Sequence, residues 1–81
     1  MKGLQQLVLS GNLFNGSITS DVGELQDLVI LDLSRNRLDG QVPRELGKLK
    51  KLSKLDVSLN KLSDIMPDSL GQLGGLLIGR R

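Results

Sequence analysis

A leucine returns every 24 residues in this chain, at Leu4, Leu28, Leu52 and Leu76. Inside that period other residues recur at fixed offsets. Leu7, Leu31 and Leu55 match, as do Ser10, Ser34 and Ser58, then Asn12, Asn36 and Asn60. Gly23, Gly47 and Gly71 form a further set, followed by Leu25, Leu49 and Leu73. Similar apolar residues fill other offsets: Leu9/Leu33/Val57, Phe14/Leu38/Leu62, Ile18/Val42/Met66 and Val22/Leu46/Leu70. A fixed period in the twenties with this leucine spacing specifies a solenoid, in which each turn of chain packs only on its neighbours. The expected architecture is one α/β domain over 1–81, a right-handed superhelix of three repeats (4–27, 28–51, 52–75) and a truncated fourth (76–81). A short parallel sheet lines its concave face, with turns or 3₁₀ segments on the convex face.

Each repeat reads the same way. Leu7-Val8-Leu9-Ser10 alternates as a short strand, Leu7 and Leu9 facing one side and Val8 and Ser10 the other; the equivalents are 31–34 and 55–58. An asparagine then stands where the chain must turn. Buried there, its amide can bond backbone groups of its own loop and the next, replacing ladder bonds lost in the turn. Asn12, Asn36 and Asn60 are therefore expected to stack as a ladder. Gly16 and Gly40 permit positive φ in a tight corner; Asp64, in the third copy, is a tolerated substitute that keeps the bend under some strain. Ile18, Val42 and Met66 point inward. Thr19, Pro43 and Pro67 then open a turn on the outer face. Segments such as Leu46-Gly47-Lys48-Leu49 are too short for an α-helix and read as single turns of 3₁₀ type. The fourth copy stops early: Gly79 stands where the frame leucine belongs, and Arg80-Arg81 closes the chain before a fourth strand completes.

Composition narrows the chemistry. The chain has no cysteine and no histidine, which removes disulfides, thiolate chemistry, the usual zinc ligands and histidine acid–base catalysis. Phe14 is the sole aromatic, so the core must be built from aliphatic side chains in many small repeated contacts. Lys48, Lys50, Lys51 and Lys54 make a basic run, but with net charge +2 and no aromatic to stack bases it reads as a solvated face, and no nucleic acid is expected as a partner. No Gly-rich phosphate loop is present, and no cofactor is expected. Met1-Lys2-Gly3 leads straight into Leu4, Gln5 and Gln6, so neither a signal peptide nor a membrane span is expected within this stretch.

The segment LDLSRNRLDGQVPRELGKL resembles the plant-specific class of leucine-rich repeat. Its mark is the L-x-G-x-[I/V]-P stretch after the asparagine, present as Leu38-Asp39-Gly40-Gln41-Val42-Pro43. Repeat one carries it as Phe14-Asn15-Gly16-Ser17-Ile18-Thr19, without the proline. Repeat three carries it as Leu62-Ser63-Asp64-Ile65-Met66-Pro67, without the glycine. The resemblance runs from Leu4 to about Leu77. It implies a segment of the extracellular arm of receptor-like kinases or receptor-like proteins, which bind peptides, small hormones, wall fragments or co-receptors. The intact parent is then expected at the plasma membrane.

On the concave face the outward strand positions are Gln6, Val8 and Ser10, then Ile30, Asp32 and Ser34, then Lys54, Asp56 and Ser58. Gly11, Leu13, Arg35, Arg37, Leu59 and Lys61 flank them. Extended concave faces are how solenoids recognise partners, so this strip is expected to meet a protein or peptide ligand or a co-receptor ectodomain. Asp32 and Asp56 are expected on neighbouring strands about 5 Å apart. With Val8 at the matching place in repeat one, that pair does not point to catalysis or a metal site. Asn15-Gly16-Ser17 is an N-glycosylation sequon, relevant in the secretory pathway. The reading is a non-enzymatic interaction module of receptor lineage; the alternatives are an intracellular scaffold, or a truncated receptor-kinase product with no independent function. About three repeats is the lower limit for such an array. Without polar terminal caps, marginal folding or self-association through the uncapped ends is expected.

Overall fold

In a computed structural model that describes residues 3–63 and 65–80, four strands lie parallel in one sheet: β1 (Gln6–Val8), β3 (Ile30–Asp32), β5 (Lys54–Asp56) and β7 (Leu77–Gly79), in that spatial order. Leu7 pairs with Leu31 and Leu31 with Leu55, so the 24-residue period becomes one strand per turn. Entry to β3 and β5 is fixed by a shared acceptor. The Gln5 carbonyl takes both Val29 N–H (2.7 Å) and Ile30 N–H (3.1 Å), and the Val29 carbonyl takes Ser53 and Lys54 in the same way. The strands start one residue earlier and end two earlier than the alternation 7–10 suggests. Past Asp32 the ladder continues through Leu33 N–H to Asp56 and Arg35 N–H to Ser58. The backbone is already bending there, and Arg35 sits at φ 57°.

The fourth copy departs from expectation. A fourth strand does form, and it slips by one residue: Ile78, not Gly79, pairs with Leu55, and Gly79 pairs with Asp56. Leu76 keeps the frame, its N–H bonded to Leu73 as Leu52 is to Leu49. The chain then omits one residue before the strand, so that Leu77 alone meets Ser53. An apolar side chain in the core outweighs the constant period, because a glycine inward would leave a void.

The leucines of repeats two and three fill the interior. Leu28, Leu31, Leu46, Leu49 and Leu55 are fully enclosed. Their first-repeat equivalents Leu4, Leu7 and Leu25 are only partly buried, and Phe14 is 46% exposed where Leu38 is 7%. Each repeat is covered by the one after it and the one before it, and repeat one has a neighbour on one side only.

A second parallel sheet, absent from the sequence reading, runs along the flank: β2 (Asn15–Ser17), β4 (Arg37–Gly40) and β6 (Lys61–Leu62). Its partners are offset by 22 residues, Gly16 facing Leu38, so it slants against the frame. Gly16 and Gly40 lie at φ 83° and 78°, beyond the reach of most side chains. The strain expected at Asp64 lies outside the described residues.

Three 3₁₀ turns close the repeats on the convex side: η1 (Ser20–Glu24), η2 (Arg44–Lys48) and η3 (Asp68–Gln72). Thr19 caps the first, its hydroxyl accepting from Asp21 N–H at 3.2 Å; Pro43 and Pro67 enter the others with extended ψ near 141°. The turns stack on one another through glycine. A Cβ at Gly23 would sit 2.9 Å from the Glu45 carbonyl oxygen, and one at Gly47 would sit 2.5 Å from Ser69 Cβ. The recurring glycine is a spacing requirement between repeats.

Candidate functional site

Strand register aligns two rows of outward residues across the concave sheet. One is Gln6–Ile30–Lys54–Leu77 and the other Val8–Asp32–Asp56–Gly79. Neighbours in a row are one strand spacing apart, about 4.8 Å. Gln6 and Lys54 are exposed, Val8 is 56% and Leu77 70% exposed, and Ile30, Asp32 and Asp56 are half-buried. Sequence reasoning missed Leu77 and Gly79 because the unbroken frame assigned Gly79 to the inward set. Only the one-residue slip brings Leu77 to the strip.

The serine row behaves differently. Asp32 Oδ1 accepts from Ser34 N–H (3.0 Å) and from Ser34 Oγ (2.7 Å). Asp56 Oδ1 accepts the same pair from Ser58, at 3.0 and 2.6 Å. Ser34 is buried, so the outward placement given to it from alternation does not hold. Its hydroxyl serves the aspartate. Repeat one has Val8 at the aspartate position, and Ser10 there is half-buried. Bonding from the Ser34 hydroxyl and then its N–H holds the Asp32 carboxyl below its ordinary value, against a smaller opposing effect of burial; the Lys54 and Arg35 charges lower it further. Gly79 leaves room for the second carboxylate, since a Cβ there would lie 2.7 Å from Asp56 Oδ1. The centre of the strip thus presents two carboxylates in register, with apolar Val8 and Leu77 at opposite ends. Among the described residues, no three His, Cys, Asp or Glu side chains come together to hold a metal ion.

A basic and apolar border runs alongside. Gly11, Arg35 and Leu59 occupy the same corner with φ of 72°, 57° and 57°. Repeat one bends a second time at Leu13, also at φ 57°. Arg35, Arg37 and Lys61 are exposed, as are Leu13 and Leu59 at 65% and 61%. Arg37 opens β4 and Lys61 opens β6, so these two sit where the flank sheet begins.

The asparagines hold the strip to that border. Asn36 Oδ1 accepts from Asn12 N–H and Phe14 N–H of the preceding repeat, both at 3.0 Å. Its amide nitrogen lies 3.0 Å from the carbonyls of Leu9, Leu33 and Ser34. Asn60 repeats the pattern toward Leu38 N–H and the Leu33, Val57 and Ser58 carbonyls. The Asn12 side chain bonds only its own loop, at Leu9 and Ser10, and the residue is exposed. Asn15, first residue of the sequon, is exposed on β2. The basic run does not form one patch. Lys50 Nζ bonds the Gly47 carbonyl, Lys51 pairs with Asp27 at 2.9 Å, and Lys54 lies on the concave sheet while Lys48 ends η2.

Comparison with known proteins identifies the pattern. The Leucine Rich Repeat family model matches three times, at residues 3–25, 27–49 and 51–73. Among solved structures, the chain is similar to PEPR1–AtPEP1, with 39% identity, a TM-score of 0.90 and 96% of this chain covered. It is also similar to the BIR2 ectodomain from Arabidopsis thaliana, at 39% identity and TM-score 0.85 over 91% of this chain. A third is the Arabidopsis receptor kinase HAESA in complex with the peptide hormone IDA and the co-receptor SERK1, at 38% identity and TM-score 0.84 over 91%. The chain spans 11%, 39% and 12% of those three chains. A search of curated protein sequences gives no match.

Proposed function

The chain belongs to the leucine-rich repeat family, and from that premise we propose that it is a non-catalytic interaction module. In this reading it is a single-domain segment of a plant cell-surface receptor ectodomain, meeting a protein or peptide ligand or a co-receptor ectodomain. The observation that carries this is its likeness, at 38–39% identity over more than nine-tenths of its length, to receptor structures that include an ectodomain and a hormone complex. A binding role also suits the chemistry. The facing carboxylates are bonded to their own serines, and the chain supplies no histidine or cysteine to work with them. Among the described residues, no helix is long and apolar enough to cross a membrane. Anchorage at the cell surface would therefore come from outside this segment.

The strip favours an extended peptide lying across the strands. A basic side chain would rest on the Asp32–Asp56 pair, and an apolar one would reach Val8 or Leu77. Fluorescence anisotropy with a positional-scanning set of short extended peptides tests this. Basic residues at one position should enhance binding, and Asp32→Lys with Asp56→Lys should weaken it roughly tenfold or more, about 1.4 kcal/mol. Lys48→Glu on the convex side should leave it unchanged. Equal loss from the concave and convex variants, or no preference for a basic position, overturns the assignment.

A further inference from the structure

We propose that the convex side carries a second binding site, a cationic groove that takes a small anion carried on a polyhydroxylated ring: a sugar bearing carboxylate or a cyclitol bearing phosphate. The groove has a volume of about 620 Å³ and is lined mainly by η2 and η3, a size within the range of small-ligand sites. Three cations line it, Arg44, Lys48 and Lys50. Glu45 is the one carboxylate in the lining, and Arg44 Nε stands 3.7 Å from it. The groove shares no residue with the concave strip, so it does not depend on what the strip binds.

The scaffold does not require these charges. One convex position carries Ser20, Arg44 and Asp68 in successive repeats. A second carries Glu24, Lys48 and Gln72, and a third carries Gln26, Lys50 and Gly74. The leucine core accepts all of these residues, yet the cations at the three positions all fall in repeat two and line one groove. Lys51, beside them in sequence, is drawn off to Asp27 at 2.9 Å.

Two of the lining side chains are already held in place. Lys50 Nζ donates to the Gly47 carbonyl at 3.2 Å, and Gln26 Nε2 donates to the Gly23 carbonyl at 2.9 Å. An ammonium has three donors, so Lys50 keeps two N–H groups for a ligand, and Gln26 keeps its amide oxygen to accept. Ordering them in advance lowers the entropic cost of binding. Arg44 and Lys48 are exposed and supply further charged donors. Gln72 adds an amide that both donates and accepts. Charged donors beside neutral amides fit an oxyanion accompanied by hydroxyls. The lining holds no aromatic side chain to stack a base and no aliphatic residue to hold a lipid tail.

Titration of the isotope-labelled 81-residue chain, followed by amide chemical shifts at constant ionic strength, tests this. The probes are a glucuronate trisaccharide, inositol hexakisphosphate and an uncharged glucose trisaccharide. At least one charged probe should shift Gly47, Lys48, Ser69 and Gln72 saturably and leave Val8 and Asp56 in place. The tighter of the two identifies the anion as carboxylate or phosphate. Arg44→Gln with Lys48→Gln should keep the circular dichroism of the parent and raise Kd roughly tenfold or more; Lys48→Gln alone should move it in the same direction. Lys51→Gln with Lys61→Gln removes the same charge outside the groove and should leave Kd unchanged. Failure of both charged probes to saturate, or equal binding of the glucose trisaccharide, would overturn the site. So would equal affinity for inorganic sulfate, parental binding by the Arg44 and Lys48 variant, or an equal loss in the Lys51 and Lys61 variant.

Discussion

Replacing Asn36 by alanine should be among the costliest changes of a polar side chain in this molecule. The amide is 7% exposed, and it holds the turn of two successive repeats. Its removal strands two N–H donors, on Asn12 and Phe14, and leaves the Leu9, Leu33 and Ser34 carbonyls without its amide. A buried group left unsatisfied costs about 1–3 kcal/mol. Each of those carbonyls keeps another donor; the two N–H groups are only partly buried, so the low end applies to each, and about 2 kcal/mol in all is expected. Against an ordinary total of about 4–12 kcal/mol for a chain this long, that is a substantial share of the stability. Asn60, half-buried and bonded to one N–H of the preceding repeat, should cost less. Asn12, exposed and with its side chain bonded only to its own loop, should cost about 1 kcal/mol or less. Urea unfolding followed by circular dichroism, in dilute solution to suppress association, gives the three values. Equal losses at Asn12, Asn36 and Asn60 would refute the reasoning, since local turn bonding alone would then explain them.

Leu55→Ala should cost about 2–5 kcal/mol, while Lys54→Ala, one residue away on the exposed face, should stay within about 0.5 kcal/mol; thermal midpoints check the pair. Gly47→Ala should destabilise by about 1–3 kcal/mol, because its Cβ would lie 2.5 Å from Ser69 Cβ in a packed stack; a neutral result in urea unfolding would show that the turns can separate freely. Asp32 is depressed in the folded state, so its contribution is present above its ordinary value of 3.8 and is lost as pH falls below that toward the folded value. Urea midpoints taken as a function of pH should therefore fall less steeply with acid for Asp32→Asn than for the parent.

The solenoid was legible because its cause is periodic: one leucine set per turn leaves few ways to bury every set at once. The 3₁₀ character of the convex turns followed from segments too short for an α-helix. What escaped the reading has physical reasons. The flank sheet is built by Asn15-Gly16-Ser17, which carries no alternation of apolar residues, and its 22-residue offset cuts across the frame. Strand β7 escaped because burial of Ile78 overrode strict spacing. Ser34 was placed outward by alternation, but the strand ends at Asp32, after which alternation no longer reports direction. The candidate strip was readable as a set of positions. The engagement of its aspartates by serine was not, since alternation set Asp32 and Ser34 as separate outward positions and carries no information on a bond between them.

The corner shared by Gly11, Arg35 and Leu59 sets how many chemistries the border of the strip can display. Glycine relaxes there but offers bare backbone. Arg35 and Leu59 hold the same left-handed bend at a cost of about 1–2 kcal/mol each, and in return place a guanidinium and an isobutyl group in solvent beside the sheet. Each further repeat of this kind that carries a non-glycine corner adds one more freely chosen side chain and one more increment of strain. The variety of side chains beside the candidate strip is therefore coupled to the stability of the scaffold, and a short array, with little stability to spare, can carry only a few such corners.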